Sequence, residues 1–183
     1  MELAGSGVVI QNILEVAKQR KYLLLLDRDG TLNLDKGHTY KLDELSIIEE
    51  NAKNIEYLIN KETSVYCISN QSGIGRNLYT IEEVKLFNSA LAERLREYGI
   101  NIEKFIFCPH LPNKKCLCRK PRTLMLELAI KETRVKVDNC TFIGNSTSDM
   151  LASYSMGIKY IGVDSLNFKK DVLKRKNEVN ASF

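Results

Sequence analysis

The chain has 183 residues, 44% of them hydrophobic and 27% charged, with ten glycines and three prolines, a composition that excludes disorder and low complexity and predicts one compact domain. Its longest purely apolar run, Leu23 to Leu26, is far short of the roughly 20 residues of a membrane helix, and the residues after Met1 lack a secretory-signal pattern, so a cytoplasmic address without a membrane partner is expected. The net charge of +4 gathers in the tail from Phe168 to Phe183, where five basic residues face two acidic ones; this reads as a solvated helix or frayed end and argues against a nucleic-acid partner.

In chain order, Val8–Arg20 carries Val9, Ile13, Val16 and Ala17 near one helical face, which predicts an N-terminal helical extension over residues 1–21 ahead of a single domain at 22–183. Short β-rich runs then alternate with helical ones. Strands are predicted at Tyr22–Asp27, Ser64–Ser69, Lys104–Cys108, Cys140–Gly144 and Lys159–Val163, and helices at Glu49–Asn60, Ile81–Tyr98, Leu124–Thr133 and Ser148–Met156. The alternation is that of an α/β fold with a parallel sheet. Thr80 and Glu83 fit a capping box at the start of the longest helix, and Gly99 is placed to end it.

In such a sheet the ligand crevice lies beyond the carboxyl ends of the strands. The unusual residues fall there: Asp27-Arg28-Asp29-Gly30-Thr31, Ser69-Asn70-Gln71-Ser72-Gly73, Cys108-Pro109-His110 and Gly144-Asn145-Ser146. Asp27 and Asp29, two apart, are expected on one side with Arg28 facing away. Two carboxylates that close suit a hard cation, with Mg²⁺ the natural choice beside a phosphate; the plain alternative is an acidic turn. Asn70, Gln71 and Arg76 follow the second strand in a Gly-rich loop able to grip sugar hydroxyls or phosphate, and Arg119 is a candidate clamp on a second phosphate; each is equally readable as a loop residue with local bonds only. His38, in the Asp35–Tyr40 loop, reads as a solvent-facing or satisfied histidine near the substrate.

Cys108, His110, Cys116 and Cys118 lie within eleven residues as Cys-x-His, five residues, Cys-x-Cys. Three thiolates and an imidazole suit tetrahedral Zn²⁺, and four protein ligands leave no open position, so the ion would be structural; a chance cluster of thiols or a disulfide is the alternative. Cys67 and Cys140 fall inside apolar strand patterns as buried, inert thiols.

The run LLLLDRDGTLN (Leu23–Asn33) resembles the first signature of the haloacid-dehalogenase superfamily of phosphotransferases. Within it, SNQSGIGR (Ser69–Arg76) and CPHLPNKKCLCRKP (Cys108–Pro121) resemble the D-glycero-D-manno-heptose bisphosphate phosphatases and the related histidinol phosphatases. The resemblance, over Tyr22 to Asp164, implies a Rossmann-like parallel sheet with helices on both faces, a minimal cap, a zinc-stapled loop and Mg²⁺-dependent hydrolysis of a small phosphorylated sugar. It also implies the roles: Asp27 as nucleophile, Asp29 as general acid and base, Thr31, Ser69 and Lys120 at the transferred phosphoryl group, and Asp27, Asp29, Asn145 and Asp149 around Mg²⁺. A monomer is the expected state. The fourth signature of these phosphatases usually reads Gly-Asp-Lys-x-x-Asp and here is Gly144-Asn145-Ser146-Thr147-Ser148-Asp149, one carboxylate and one cation short. Two alternatives therefore stand beside heptose bisphosphatase activity: a catalytically impaired relative that binds a phosphosugar or a protein partner, and a histidinol-phosphate phosphatase.

Overall fold

The computed structural model describes residues 7–15 and 20–181. Six strands, β1 (Val9–Asn12), β2 (Tyr22–Leu26), β3 (Thr63–Asn70), β4 (Lys104–Cys108), β5 (Cys140–Gly144) and β6 (Lys159–Gly162), form one sheet in the order β1-β4-β3-β2-β5-β6. From β2 to β6 every pairing is parallel, as the alternation predicts. The helices are α1 (Glu49–Glu56), α2 (Ser72–Gly75), α3 (Ile81–Arg96), α4 (Leu124–Thr133), α5 (Thr147–Ser155) and α6 (Phe168–Asn180), the last formed by the basic tail.

Strand β2 shows why helices cover both faces. Its five residues, Tyr-Leu-Leu-Leu-Leu, are all buried. Leu24 and Leu26 enter a core shared with α1, α3 and α6, whereas Leu23 and Leu25 enter the opposite core, shared with α4 and α5. The predicted capping box sets the start of α3: Glu83 N donates to Thr80 Oγ1 at 3.2 Å and Thr80 N to Glu83 Oε2 at 2.7 Å. No separate cap domain intervenes between β2 and α1, which are joined by residues 27–48 with a single 3₁₀ turn, Leu42–Glu44.

The N-terminal reading needs correction. Val9–Asn12, expected as part of a helix, is a strand lying antiparallel on β4, with Val9 opposite Phe107 and Gln11 opposite Phe105. Three successive β-branched residues, Val8, Val9 and Ile10, favour extended backbone, and an open edge on β4 supplies the partner that a lone helix would lack. Val8 and Ile10 pack into one core and Val9 into the other, so the strand period of two replaces the helical spacing. Val16 and Ala17, which completed that spacing, lie outside the described residues.

The sheet positions the site. β3 and β4 lie to one side of β2, and β5 and β6 to the other, so loops part beside the carboxyl end of β2, where Asp27 begins.

Candidate active site

Lys120 ties the end of β2 to β3 and α5. Its Nζ donates to Asp27 Oδ1 at 2.6 Å and to the Ile68 carbonyl of β3 at 2.7 Å, and it pairs with Asp149 Oδ1 at 2.6 Å. The lysine and Asp149 are almost wholly buried, and Asp27 is 8% exposed. Burial pushes the Asp27 carboxyl up to about 7; Lys120 pulls it down, and Asp149 and Asp29 raise it by repulsion. For Lys120, burial disfavours the ammonium, but Asp149 and Asp27 outweigh it and push its pKa up, so the cation is held charged between two acids. Asn70 fixes the lysine from below: its Nδ2 donates to the Lys120 carbonyl at 3.2 Å and its Oδ1 accepts from Lys120 N at 3.0 Å.

Asp29 faces donors on three sides. Arg28 Nε donates to both carboxylate oxygens at 3.1 Å and Nη2 to Oδ2 at 2.9 Å, Asn33 Nδ2 reaches Oδ1 at 3.0 Å, and Gln71 Nε2 reaches Oδ2 at 2.9 Å. Gln71 is oriented by its other bonds, Nε2 donating to Ser69 Oγ while Oε1 accepts from Tyr79 Oη and Arg28 Nη2. Arg28 follows the parity of Leu24 and Leu26 toward α3, as expected, but its guanidinium folds back onto Asp29 and has no exposed surface. Its role was missed in the sequence, yet a signal was there: an arginine in phase with a buried stripe must find a carboxylate, and Asp29 is adjacent.

A cavity of about 390 Å³ opens over these groups. Of the residues expected at the site it brings together Asp27, Asp29, Asn70, Gln71, Lys120 and Asn145, and adds Asp35, His38, Ser72, Tyr79, Ser146 and Ser148. The other expected residues do not line it. Thr31 is fully buried in the turn, its carbonyl accepting from Asn51 Nδ2 at 3.0 Å. Ser69 lies beneath Gln71, Arg76 is exposed past the α2 turn, and Arg119 turns to the His110 carbonyl at 3.4 Å. Asp149 serves the start of α5, where its Oδ2 accepts from Ser146 N at 3.1 Å and Ser146 Oγ accepts from Asp149 N at 3.2 Å. Asn145 sits directly on Gly30, which has φ +77° and must lack a side chain, because a Cβ there would lie 2.0 Å from Asn145 Nδ2.

The donors facing the cavity, the carboxylates of Asp27 and Asp29 and the Asn145 amide, are hard oxygens. Around this centre the carboxylates of Asp27, Asp29 and Asp149 face the two cations Lys120 and Arg28. This set fits Mg²⁺, which takes one or two carboxylates and retains waters.

The Cys/His residues converge beside β4. Cys108 Sγ lies 3.4 Å from His110 Nδ1 and 3.7 Å from Cys116 Sγ, Cys118 Sγ lies 3.3 Å from the same nitrogen, and all four ligand atoms fall within 4.8 Å of one another. Bonds of about 2.3 Å to sulfur and about 2.0 Å to nitrogen around a tetrahedral ion set ligand atoms about 3.5 to 3.8 Å apart, close to those three separations, so the cluster could hold a zinc ion. Gly7, at φ +60°, passes over the other edge of the imidazole, where a Cβ would lie 2.7 Å from His110 Cε1 and Nε2. Cys67 and Cys140 are buried in β3 and β5; burial pushes the first thiol well above its usual value and the second up to about 12, as inert thiols.

Comparison with known proteins agrees with this geometry. The HAD-hydrolase-like family model matches residues 117–182. The chain is 34% identical over 122 residues to a probable D-glycero-D-manno-heptose-1,7-bisphosphate 7-phosphatase of Thermoplasma acidophilum, covering 67% of this chain and 76% of that one. It is 32% identical over 146 residues to the D-glycero-beta-D-manno-heptose-1,7-bisphosphate 7-phosphatase of Haemophilus ducreyi, covering 76% and 80%. Among solved structures, the D,D-heptose 1,7-bisphosphate phosphatase of B. bronchiseptica, crystallised with magnesium and phosphate, superposes with a TM-score of 0.71 at 27% identity over 84% of this chain and 86% of that one. On these similarities the chain belongs to the haloacid-dehalogenase-like phosphatases, in the group of the heptose-bisphosphate phosphatases, and is a phosphoric monoester hydrolase.

Proposed function

We propose that the protein removes the 7-phosphate of D-glycero-D-manno-heptose 1,7-bisphosphate, with Mg²⁺ bound at Asp27 and Asn145, and Asp29 left to carry the proton. The observation that carries this reading is the convergence of Asp27, Asp29 and Lys120 on one cavity, with Lys120 bonded to Asp27 Oδ1. With Oδ1 held, Oδ2 of Asp27 attacks phosphorus; the new Oδ2–P bond forms as the P–O bond to the sugar breaks, and Asp29 delivers a proton to the departing oxygen. Water then attacks phosphorus, the Oδ2–P bond breaks, and Asp29 takes the proton back. Lys120 neutralises the charge that spreads over the phosphoryl oxygens, and the Asn70 amide keeps the lysine at that height. A bound magnesium ion supplies further charge neutralisation at phosphate oxygens. Asp149 acts through Lys120 and the start of α5. Thr31 fixes the turn and Ser69 fixes Gln71.

The Cys/His cage holds a structural zinc ion that pins residues 108–118, and with them the loop into Lys120, two positions on from Cys118. Cysteines gathered in a metal cage or buried in the sheet suit a reducing compartment such as the cytoplasm.

The test is phosphate release from heptose bisphosphate, other sugar phosphates and histidinol phosphate across a Mg²⁺ series, with Asp27→Asn as control. Release that depends on Mg²⁺ and is lost in the control supports the reading. A rate for Asp27→Asn equal to the wild type, or no release from the whole panel, sinks it.

A further inference from the structure

Arg28 is held from behind as well as in front. In front it binds Asp29, the Thr39 carbonyl at 2.6 Å and Gln71 Oε1 at 3.1 Å; beneath it the Phe87 ring lies 4.7 Å from the guanidinium carbon. Behind, its remaining nitrogen, Nη1, donates to Asn88 Oδ1 of α3 at 3.2 Å. Asn88 Nδ2 in turn donates to Gln11 Oε1 of β1 at 3.1 Å, and Gln11 Nε2 donates to the Lys85 carbonyl at 2.8 Å and to Ser89 Oγ at 3.1 Å.

This chain has a fixed polarity. A backbone carbonyl only accepts, so Lys85 requires the NH₂ end of Gln11. The oxygen of Gln11 then faces Asn88 and requires the NH₂ end of that amide, which leaves Asn88 Oδ1 as the acceptor that a guanidinium, a donor only, needs. Reversing Asn88 would bring its NH₂ against the buried Arg28 guanidinium, and reversing Gln11 would bring two donors together at the part-buried Asn88 contact. Strand parity makes the arrangement possible: Gln11 shares with Val9 the face of β1 turned to α3.

We infer that β1 belongs to the active-site scaffold, Gln11 and Asn88 being positioning residues that act through Arg28 to hold Asp29 in its working place. The inference rests on the functional reading above, in which Asp29 carries the proton. Neither amide lines the cavity, so their loss acts on the geometry of the reacting groups and leaves substrate contacts intact. A misplacement of about 1 Å costs on the order of 100-fold in rate at worst.

The experiment uses the full chain with Gln11→Met, Asn88→Leu and the double substitution, measuring kcat, KM and the melting temperature. The expected losses in kcat are about 3-fold and about 10-fold for the singles, with KM within about 2-fold. The double variant should fall within about 2-fold of Asn88→Leu alone, because a broken chain cannot be broken twice. Unchanged kcat in folded Asn88→Leu, a loss confined to KM, or losses that multiply independently overturn the inference. If Asn88→Leu fails to fold, Gln11→Met decides by the same split. Should the wild type release no phosphate, the functional reading fails, and crystal structures still decide the network: Asp29 displaced in Asn88→Leu supports it, and Asp29 in place overturns it.

Discussion

Lys120 places one ammonium between two buried carboxylates, and removing it leaves both uncompensated. Lys120→Met is expected to abolish phosphate release and to cost about 3 to 5 kcal/mol of stability, read as a drop in melting temperature. Asp27 makes the converse case. Its carboxyl is raised to about 7 chiefly by burial, so the folded state holds the proton more tightly than the unfolded one. Stability contributed by that proton is complete below the unfolded value of 3.8 and is lost as pH rises toward 7. In metal-free protein, Asp27→Asn should therefore raise the melting temperature at pH 8 and leave it unchanged at pH 3; equal effects at both would contradict the assignment. Asn145, against Gly30, offers an amide where a carboxylate would add charge, so Asn145→Asp should lower the Mg²⁺ concentration needed for half-maximal phosphate release. Asp27, Asp29 and Lys120 were legible because a strand end and a named pattern marked them. Thr31, Ser69, Arg76, Arg119 and Asp149 do not line the cavity, a matter of side-chain placement that no motif records; Ser69, Arg119 and Asp149 bond to Gln71, the His110 carbonyl and the start of α5 instead.

At the level of elements, most of the core sheet could be read directly: β4, β5 and α4 have the expected limits, since buried apolar runs bounded by polar loops leave little freedom. β1 could not be read. A run of four residues fits both a helical face and a strand, and the decision came from the free edge of β4, which no local window contains. The Cys/His loop, by contrast, was visible as spacing, because its four ligands close around one point within eleven residues. One zinc ion per chain is expected by metal analysis. Cys116→Ser should lower that content and also reduce kcat, since the loop runs on to Lys120 and is bonded to Asn70 at the end of β3. Zinc loss with unaltered kcat would detach the loop from catalysis.

For the whole molecule, the mixed sheet ends on one side with β1 and on the other with β6, which has only four residues. Beneath β1 lies β4, a wholly buried Lys-Phe-Ile-Phe-Cys strand flanked by β3 on its other side. A chain begun at Lys21 would uncover the outer row of amides and carbonyls of β4 together with the side chains that Val8 and Val9 now shield. Such an edge is aromatic and free of proline, the sort of template on which a second chain pairs. The short N-terminal strand thus guards the protein against its own copies. Light scattering of the shortened chain should report concentration-dependent association that the full chain does not show, whatever becomes of its turnover.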